Sequence, residues 1–453
     1  MMVKAAGLPA ATAAPVRRVP VLAWGLWDWG SSAFNAVIGT FVFTVYLTGT
    51  VGDDLPGSVS ANSWLGYALG AAGFVVALLA PVIGQRADAT GRRKLSVAVW
   101  TALIVACTAA MVAVRDDSRY FALGLLLLAA GSICFELASV SYNALLVGVS
   151  TPQTVGRVSG FGWAMGYLGG IVLLLGVYLG FIAGDGGLWA LPTADGFNIR
   201  MVALVAAGWF ALFALPLLVW VPEPAPAAAP SARAGLLERY RQLGRDLRAL
   251  YRRAPHTVYF LGASALFRDG LAAVFAFGAV LAVTVYELDP ADVLIFGIAA
   301  NVTAAAGALL AGRIDDRVGP KAVIVGSLVG MLVAGSVLLA VSGPVLFWIF
   351  GLLLTLFVGP AQSSSRTYLA RLAPPGHEGQ LFGLYATTGR AASFLAPTLV
   401  GLCTQLSGSD RAGILGILLV LALGLVALWP VQPPELRHSP GTGDPGNDQP
   451  AGA

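Results

Sequence analysis

The stretch Gly84–Lys94, GQRADATGRRK, and its echo Gly312–Lys321, GRIDDRVGPK, decide how this chain is read. Both have the form G-x-x-x-D-x-x-G followed by basic residues. The fixed positions are Gly84, Asp88 and Gly91 in the first copy and Gly312, Asp316 and Gly319 in the second, 228 residues further on. Arg92 and Arg93 follow the first copy, and Arg317 lies inside the second. Each copy lies between two apolar segments long enough to cross a bilayer, which takes about 20 apolar residues as a helix. A charged turn between two spans, repeated once per half of a 453-residue chain, predicts a duplicated membrane protein.

Working outward, the composition agrees. Apolar residues make up 57% of the chain and charged residues only 11%, with a mean hydropathy of +0.79. A soluble domain of this size carries about a quarter charged residues. A membrane barrel needs alternating polarity, which runs such as LGLLLLAAGSICF lack. Helices, which satisfy their own backbone in lipid, remain. The expected fold is therefore an all-α polytopic membrane protein of 12 transmembrane helices, arranged as two six-helix bundles. Cys107, Cys134 and Cys403 sit in apolar segments with neither metal nor disulfide spacing. No cofactor and no metal are expected, and the basic residues sort by loop rather than into a nucleic-acid-binding patch.

In chain order, residues 1–20 form an N-terminal segment and 21–221 a first bundle, with spans near 21–48, 63–83, 95–114, 120–147, 157–182 and 199–221. Residues 222–255 are a linker. Its opening PEPAPAAAP breaks the helix. Then Leu236, Leu237, Tyr240, Leu243, Leu247, Leu250 and Tyr251 recur at helical spacing, with Arg239, Arg241, Arg245, Arg248, Arg252 and Arg253 between them. That amphipathic helix is expected on the cytoplasmic membrane face, the alternative being a solvated tether. Residues 256–430 form the second bundle, with spans near 257–286, 291–312, 321–341, 344–369, 379–406 and 411–430; residues 431–453 are a Pro/Gly/Asp-rich tail expected to be disordered.

Arg86, Arg92, Arg93, Lys94, Arg157, Arg313, Arg317, Lys321, Arg371 and the linker fall on one side of the membrane, against Arg115, Arg119, Arg200 and Arg411 on the other. Positive charge marks the inside, so both termini are expected in the cytoplasm. Three lysines against 24 arginines suggest a GC-rich bacterial genome, and hence the inner membrane. The repeat shows a second time: Gly160 and Gly166 match Gly383 and Gly389, and Pro152 matches Pro375, at a spacing of 223. The five-residue change is placed in the outer turn RDDSR at 115–119.

Charges inside a span cost at least a few kcal/mol and are functional candidates by default. They are Asp28 in LWDWGSSAFN, Glu136 in CFELASVSYNALL, Arg268 and Asp269 in LFRDGL, Arg366 in QSSSRTYLA and Arg390 in ATTGRAASF. Asn35, Asn143 and Gln362 add neutral hydrogen-bonding groups along the same path. Arg268 and Asp269 are adjacent, so on a helix they point about 100° apart and at least one needs a partner elsewhere. Glu136, Asp269 and Asp28 are the carboxylates available to carry protons, since the histidines lie at helix ends, in a loop or in the tail. Asp28 near one surface and Arg366 near the end of its span are read equally well as caps or anchors. Trp24, Trp27 and Trp29 are read as an interfacial belt. The stretch GFGWAMGYLGG, Gly160–Gly170, has small-x-x-x-small spacings that suit close helix packing, and neither strand nor Gly-Lys-Ser/Thr accompanies it as in a nucleotide loop.

The paired charged turns resemble the signature loops of the major facilitator superfamily, between helices 2 and 3 and between 8 and 9. Three further stretches are similar to the facilitator family that includes the fungal autophagy-related vacuolar amino-acid effluxers. They are WDWGSSAFNAVIGTFVF (27–43), RVSGFGWAMGYLGG (157–170) and GPAQSSSRTYLARLAPPGHEGQLFGLYATTGRAASFLAP (359–397). The resemblance implies a cavity lined by spans 1, 4, 7 and 10, which hold nearly every embedded charge here. It implies a small solute, such as a neutral amino acid, as substrate. It also implies that Asp88 meets the start of span 11 near Gly379 and that Asp316 meets the start of span 5 near Gly156, as two conformational latches. The first copy departs at Ala89, where an arginine usually follows the aspartate; Arg86 is the candidate replacement, while Arg317 keeps the pattern.

The leading expectation is thus a secondary active transporter, not an enzyme. It works by alternating access on a small molecule, with protons as the candidate coupling ion, and it contacts membrane lipids and no nucleic acid. The competing expectation is a non-transporting receptor or scaffold that holds a partner through the basic linker. Charges kept on four cavity helices weigh against it, because such a protein gains nothing from their cost.

Overall fold

The computed structural model of the chain describes residues 18–223 and 236–432, and every regular element among them is helical. Ten helices are long and apolar enough to cross a membrane. They are span 1 Arg18–Val51, span 2 Ala61–Thr90, span 3 Arg93–Ala113, span 4 Ser118–Val149, span 5 Val155–Ile182, span 6 Ala194–Trp220, span 7 Pro255–Thr284, span 8 Ile295–Val318, span 9 Pro320–Ala340 and span 10 Pro344–Leu372. Span 11 is two helices, Glu378–Ala392 and Leu395–Ser407, and span 12 is the 17-residue Ala412–Leu428. Phe74, Leu126, Leu212 and Val333 project outward from the spans as large exposed apolar side chains. Large exposed apolar side chains on several spans suit a surface that faces lipid.

The charged turns are mostly not loops. Span 2 starts on a Ser60 cap, whose hydroxyl accepts from the Ser63 amide at 3.2 Å, and runs unbroken through Gly84 and Asp88 to Thr90. Gly91, at φ 63°, ends it in the left-handed conformation that glycine adopts at no steric cost. The second copy is likewise helical as far as Val318, and span 9 begins on Pro320 after Gly319 at φ 90°. Each aspartate is therefore fixed on a helix end.

Span 2 packs on span 11, and span 5 on span 8; these two pairs carry most of the contact between the halves. The motif glycines permit it. Gly84 faces Gly379, where a Cβ would overlap the Gly379 carbonyl, and Gly312 faces Gly156, where a Cβ would stand 2.7 Å from the Gly156 carbonyl oxygen. The two pairs are related by the internal repeat.

Two expectations change, and span 1 holds a feature the sequence did not announce. Trp24 and Trp27 form no interfacial belt: both are fully buried, because span 1 runs between spans 4, 5 and 6. The linker helix, Leu236–Arg253, does not lie with its apolar side on the membrane; Leu243, Leu247 and Leu250 pack against the protein core. Span 1 is irregular: Ala33–Phe41 is wound as a π-helix, with the Val42 amide donating to the Val37 carbonyl at 3.0 Å. Such wide turns occur often at functional sites. The tail beyond 432 and the linker residues 224–235 lie outside the described residues.

Candidate functional site

Asp88 accepts from the amides at the start of span 11, Gly379 at 3.0 Å and Gln380 at 2.8 Å. Asp316 accepts from those at the start of span 5, Gly156 at 2.8 Å and Arg157 at 3.2 Å. A carboxylate on a helix N-terminus gains both the free amides and the dipole. The arginines differ from the sequence expectation. Arg86, Arg92 and Arg317 are exposed and make no ion pair among the described residues. In the first latch Arg93 does the work: it is buried, with Nε 2.8 Å from Asp88 and Nη2 2.5 Å from Glu378. The chain reverses at Gly91, so the residue that turns back onto Asp88 is the second arginine of the pair. In the second latch Arg157 Nε lies 2.9 Å from Asp316, and Arg371 lies 3.1 Å from the buried Asp315 and 3.7 Å from Asp316.

Between the latches lies a polar cluster that crosses the halves. Arg366 is 5% exposed. Its Nη1 stands 3.3 Å from both Asp28 and Asn143, its Nε donates to the Ser159 hydroxyl at 3.0 Å, and its Nη2 donates to the Ser159 carbonyl at 2.6 Å. The guanidinium also lies over Trp24 and Trp163, 4.8 and 5.6 Å from their rings. A desolvated charge needs this full set of partners. Tyr142 supports Asp28: its hydroxyl donates at 2.8 Å, and its ring is sandwiched between Trp24 and Trp27 at 4.7 and 4.2 Å. Gly162 leaves the room, since a Cβ there would come within 2.7 Å of Asp28 and 2.9 Å of Arg366. Sequence reading missed Tyr142, Ser159 and Glu378; only the neighbour Asn143 hinted at the first.

Glu136 on span 4 and Arg390 on span 11 form a second ion pair between the halves, in which both side chains are partly exposed. Arg268 and Asp269 do not pair with each other. Arg268 donates to the Tyr385 carbonyl at 3.0 Å with its guanidinium 3.7 Å over the Tyr385 ring. Asp269 is buried and accepts from the Ala396 amide at 2.6 Å. The dipeptide therefore grips span 11 on both sides of its break, and Asp269 caps the second piece. Asn35 is exposed on the π-wound turn, and Gln362 is half-buried; neither side chain makes a hydrogen bond to another described residue. The described residues hold no cluster with metal-ligand character.

Residues 149–437, well over half the chain, match the family described as "Vacuole effluxer Atg22 like". The chain belongs to that family. An uncharacterized transporter of the major facilitator type, YxiO of Bacillus subtilis (strain 168), is 24% identical over 410 residues, covering 89% of this chain and 93% of YxiO. Autophagy-related protein 22 of Cryptococcus neoformans var. neoformans serotype D (strain B-3501A) is 26% identical over 293 residues, covering 61% of this chain and about half, 52%, of the fungal protein. Among solved structures, the human organic anion transporter MFSD10 (TETRAN) superposes with a TM-score of 0.69 at 16% identity, over 92% of this chain and 100% of that one. The transporter FucP in the outward conformation superposes at 0.66 and 13% identity, over 91% and 99%. This Atg22-like chain therefore has the major facilitator fold and is a membrane transporter rather than an enzyme.

Proposed function

We propose that this Atg22-like protein is a secondary active exporter of a small zwitterionic solute, in the class of neutral amino acids, that exchanges it for protons by alternating access. The observation that carries the reading is the Asp28–Arg366 pair, its arginine buried and its aspartate 17% exposed, which joins the two halves and must part if they are to rock. Among the described residues, every hydrogen bond and ion pair between the two six-helix halves lies on the side of the charged turns or at the level of Glu136 and Arg390. With the basic residues marking the cytoplasm, that end is the cytoplasmic one, both termini lie inside, and this conformation faces outward. The family description as a vacuole effluxer supports solute movement across a membrane.

Glu136 and Arg390 are the proposed coupling pair. A zwitterion offers an ammonium to Glu136 and a carboxylate to Arg390. A proton on Glu136 removes the site for the ammonium and favours release, so one carboxylate serves proton and solute in turn. In proteoliposomes with an internal pH dye, a neutral amino acid gradient is expected to move protons, and Glu136→Gln, which mimics the protonated form and so lacks the ammonium site, is expected to lose proton movement together with most solute exchange. Proton movement unchanged in Glu136→Gln would overturn the coupling assignment. Silence across amino acids, sugars, drugs and organic acids, with radiolabelled exchange also absent, would overturn the transport reading.

A further inference from the structure

The linker helix does more than connect the halves. Asp246, on its inner face, accepts from Gln380 Nε2 at 3.1 Å and Gln85 Nε2 at 3.5 Å, while Gln242 one turn earlier donates to its other oxygen at 2.7 Å. Gln85 belongs to span 2 in the first half and Gln380 to span 11 in the second; both are at least nine-tenths buried. Each directly follows a glycine of the first latch, Gly84 or Gly379, and the Gln380 amide itself holds Asp88. Tyr240 adds a hydrogen bond to the Leu78 carbonyl at 2.6 Å.

The repeat supplies an internal control. The residues that follow the paired glycines of the second latch are Arg313 and Arg157, not glutamines. Arg157 is occupied by Asp316, and Arg313 turns to the Leu309 carbonyl of its own helix. Neutral amide donors converge only where the linker helix presents a carboxylate to receive them.

We propose that Asp246 is a positioning residue of the first latch, a bridge that holds Gln85 and Gln380 together and so favours the state closed at the charged-turn end. The inference rests on the alternating-access reading: when spans 2 and 11 separate, the carboxylate can keep at most one of its two buried amides. Opposite it, Arg241, Arg245, Arg248 and Arg252 form an exposed stripe, so the packed face and the solvent face of the helix are distinct.

The test measures the separation of spin labels at Thr90 and Val318, exposed positions on opposite halves, in the full-length protein with its three cysteines replaced. Asp246→Ala is expected to raise the open-to-closed ratio about tenfold or more, the lower end of the range for a hydrogen bond to a charged group. Adding Gln380→Ala to Asp246→Ala should produce little more, and Asp246→Glu should recover part of the closed population. Asp88→Ala separates the two readings. If it opens the protein while Asp246→Ala and the milder Asp246→Asn do not, the bridge is wrong and alternating access stands. If none of the three changes the distances, the alternating-access reading itself is wrong.

Discussion

Asn143 and Arg366 meet at 3.3 Å across the two halves, and they stand 223 residues apart, the spacing that relates Pro152 to Pro375 and Gly160 to Gly383. Equivalent positions of the repeat thus touch one another, as they must if both lie on the pseudo-twofold axis between the bundles. Duplication first places like residues there, and like charges on an axis repel. Divergence into an amide and a guanidinium removes that conflict and leaves Asp28 as the single countercharge.

Arg366 should therefore be far more sensitive than its place near a span end suggests. Arg366→Ala leaves Asp28 with only Tyr142 as a side-chain partner, and breaking a buried pair from one side costs about 3–5 kcal/mol. Thermal unfolding in detergent should show a large fall in Tm. The double variant Asp28→Asn with Arg366→Gln should recover much of it, because neither side is then left with a buried charge. Equal losses in the single and double variants would show that the arginine acts by packing on Trp24 and Trp163 instead.

The latches should be unequal. Asp88 is buried with Arg93 and Glu378 close around it, whereas the nearest arginine of Asp316 is Arg157, whose side chain is 55% exposed, and its buried partner Arg371 stands off at 3.7 Å. Exposed pairs contribute about 0–1 kcal/mol. Asp88→Asn should thus shift the protein toward opening at the charged-turn end more than Asp316→Asn does, read by cysteine accessibility at that end. Arg93→Ala should behave like Asp88→Asn, while Arg92→Ala and Arg317→Ala should change accessibility little.

Those arginines mark the boundary of what the sequence could reveal. Spacing and apolar length disclose the repeat, the helical class and the aspartates, and the family resemblance places their partners, Gly379 and Gly156. A run of basic residues does not disclose which one points inward; that depends on how the chain turns at Gly91, so Arg93 rather than Arg86 supplies the missing guanidinium. Trp24 and Trp27 fail for a related reason: composition cannot tell a tryptophan at the bilayer surface from one enclosed by spans 4 and 6. The break in span 11 is only half legible: Pro397 has no N–H for the Ser393 carbonyl and marks a helix start there, but the group that stabilises that start, Asp269, lies 127 residues earlier than the amide it binds.

That cap changes what Asp269 is expected to do. A proton carrier fails when made neutral, whereas a cap needs only an acceptor oxygen. Asp269→Asn should retain solute transport and proton movement, because asparagine caps a helix nearly as well as aspartate. Asp269→Ala should lose about 0.5–2 kcal/mol of stability, the usual range for removing a cap, and its transport should weaken as span 11 loosens. Loss of proton movement in Asp269→Asn at unchanged Tm would return the residue to the proton path.

The glycines of the charged turns offer the most direct test of closure, because they act through shape alone. At Gly84 a Cβ would overlap the Gly379 carbonyl, and at Gly312 it would press on the Gly156 oxygen and, at 3.0 Å, on the Arg157 Cα. The obstacles are backbone atoms within helices, which cannot step aside as a flexible side chain would. Gly84→Ala and Gly312→Ala should leave each bundle folded, since alanine is the better helix former, and should still prevent the two helix pairs from closing. Labels on opposite halves at the charged-turn end should move apart in both variants, with a loss of transport and an unchanged or higher thermal stability of the separate bundles. Gly91→Ala, at a left-handed helix end where the clash is with the residue's own backbone, should instead lower stability by about 1 kcal/mol with a smaller effect on closure. If Gly84→Ala and Gly91→Ala gave the same result, the close approach of spans 2 and 11 would not be what sets the closed state.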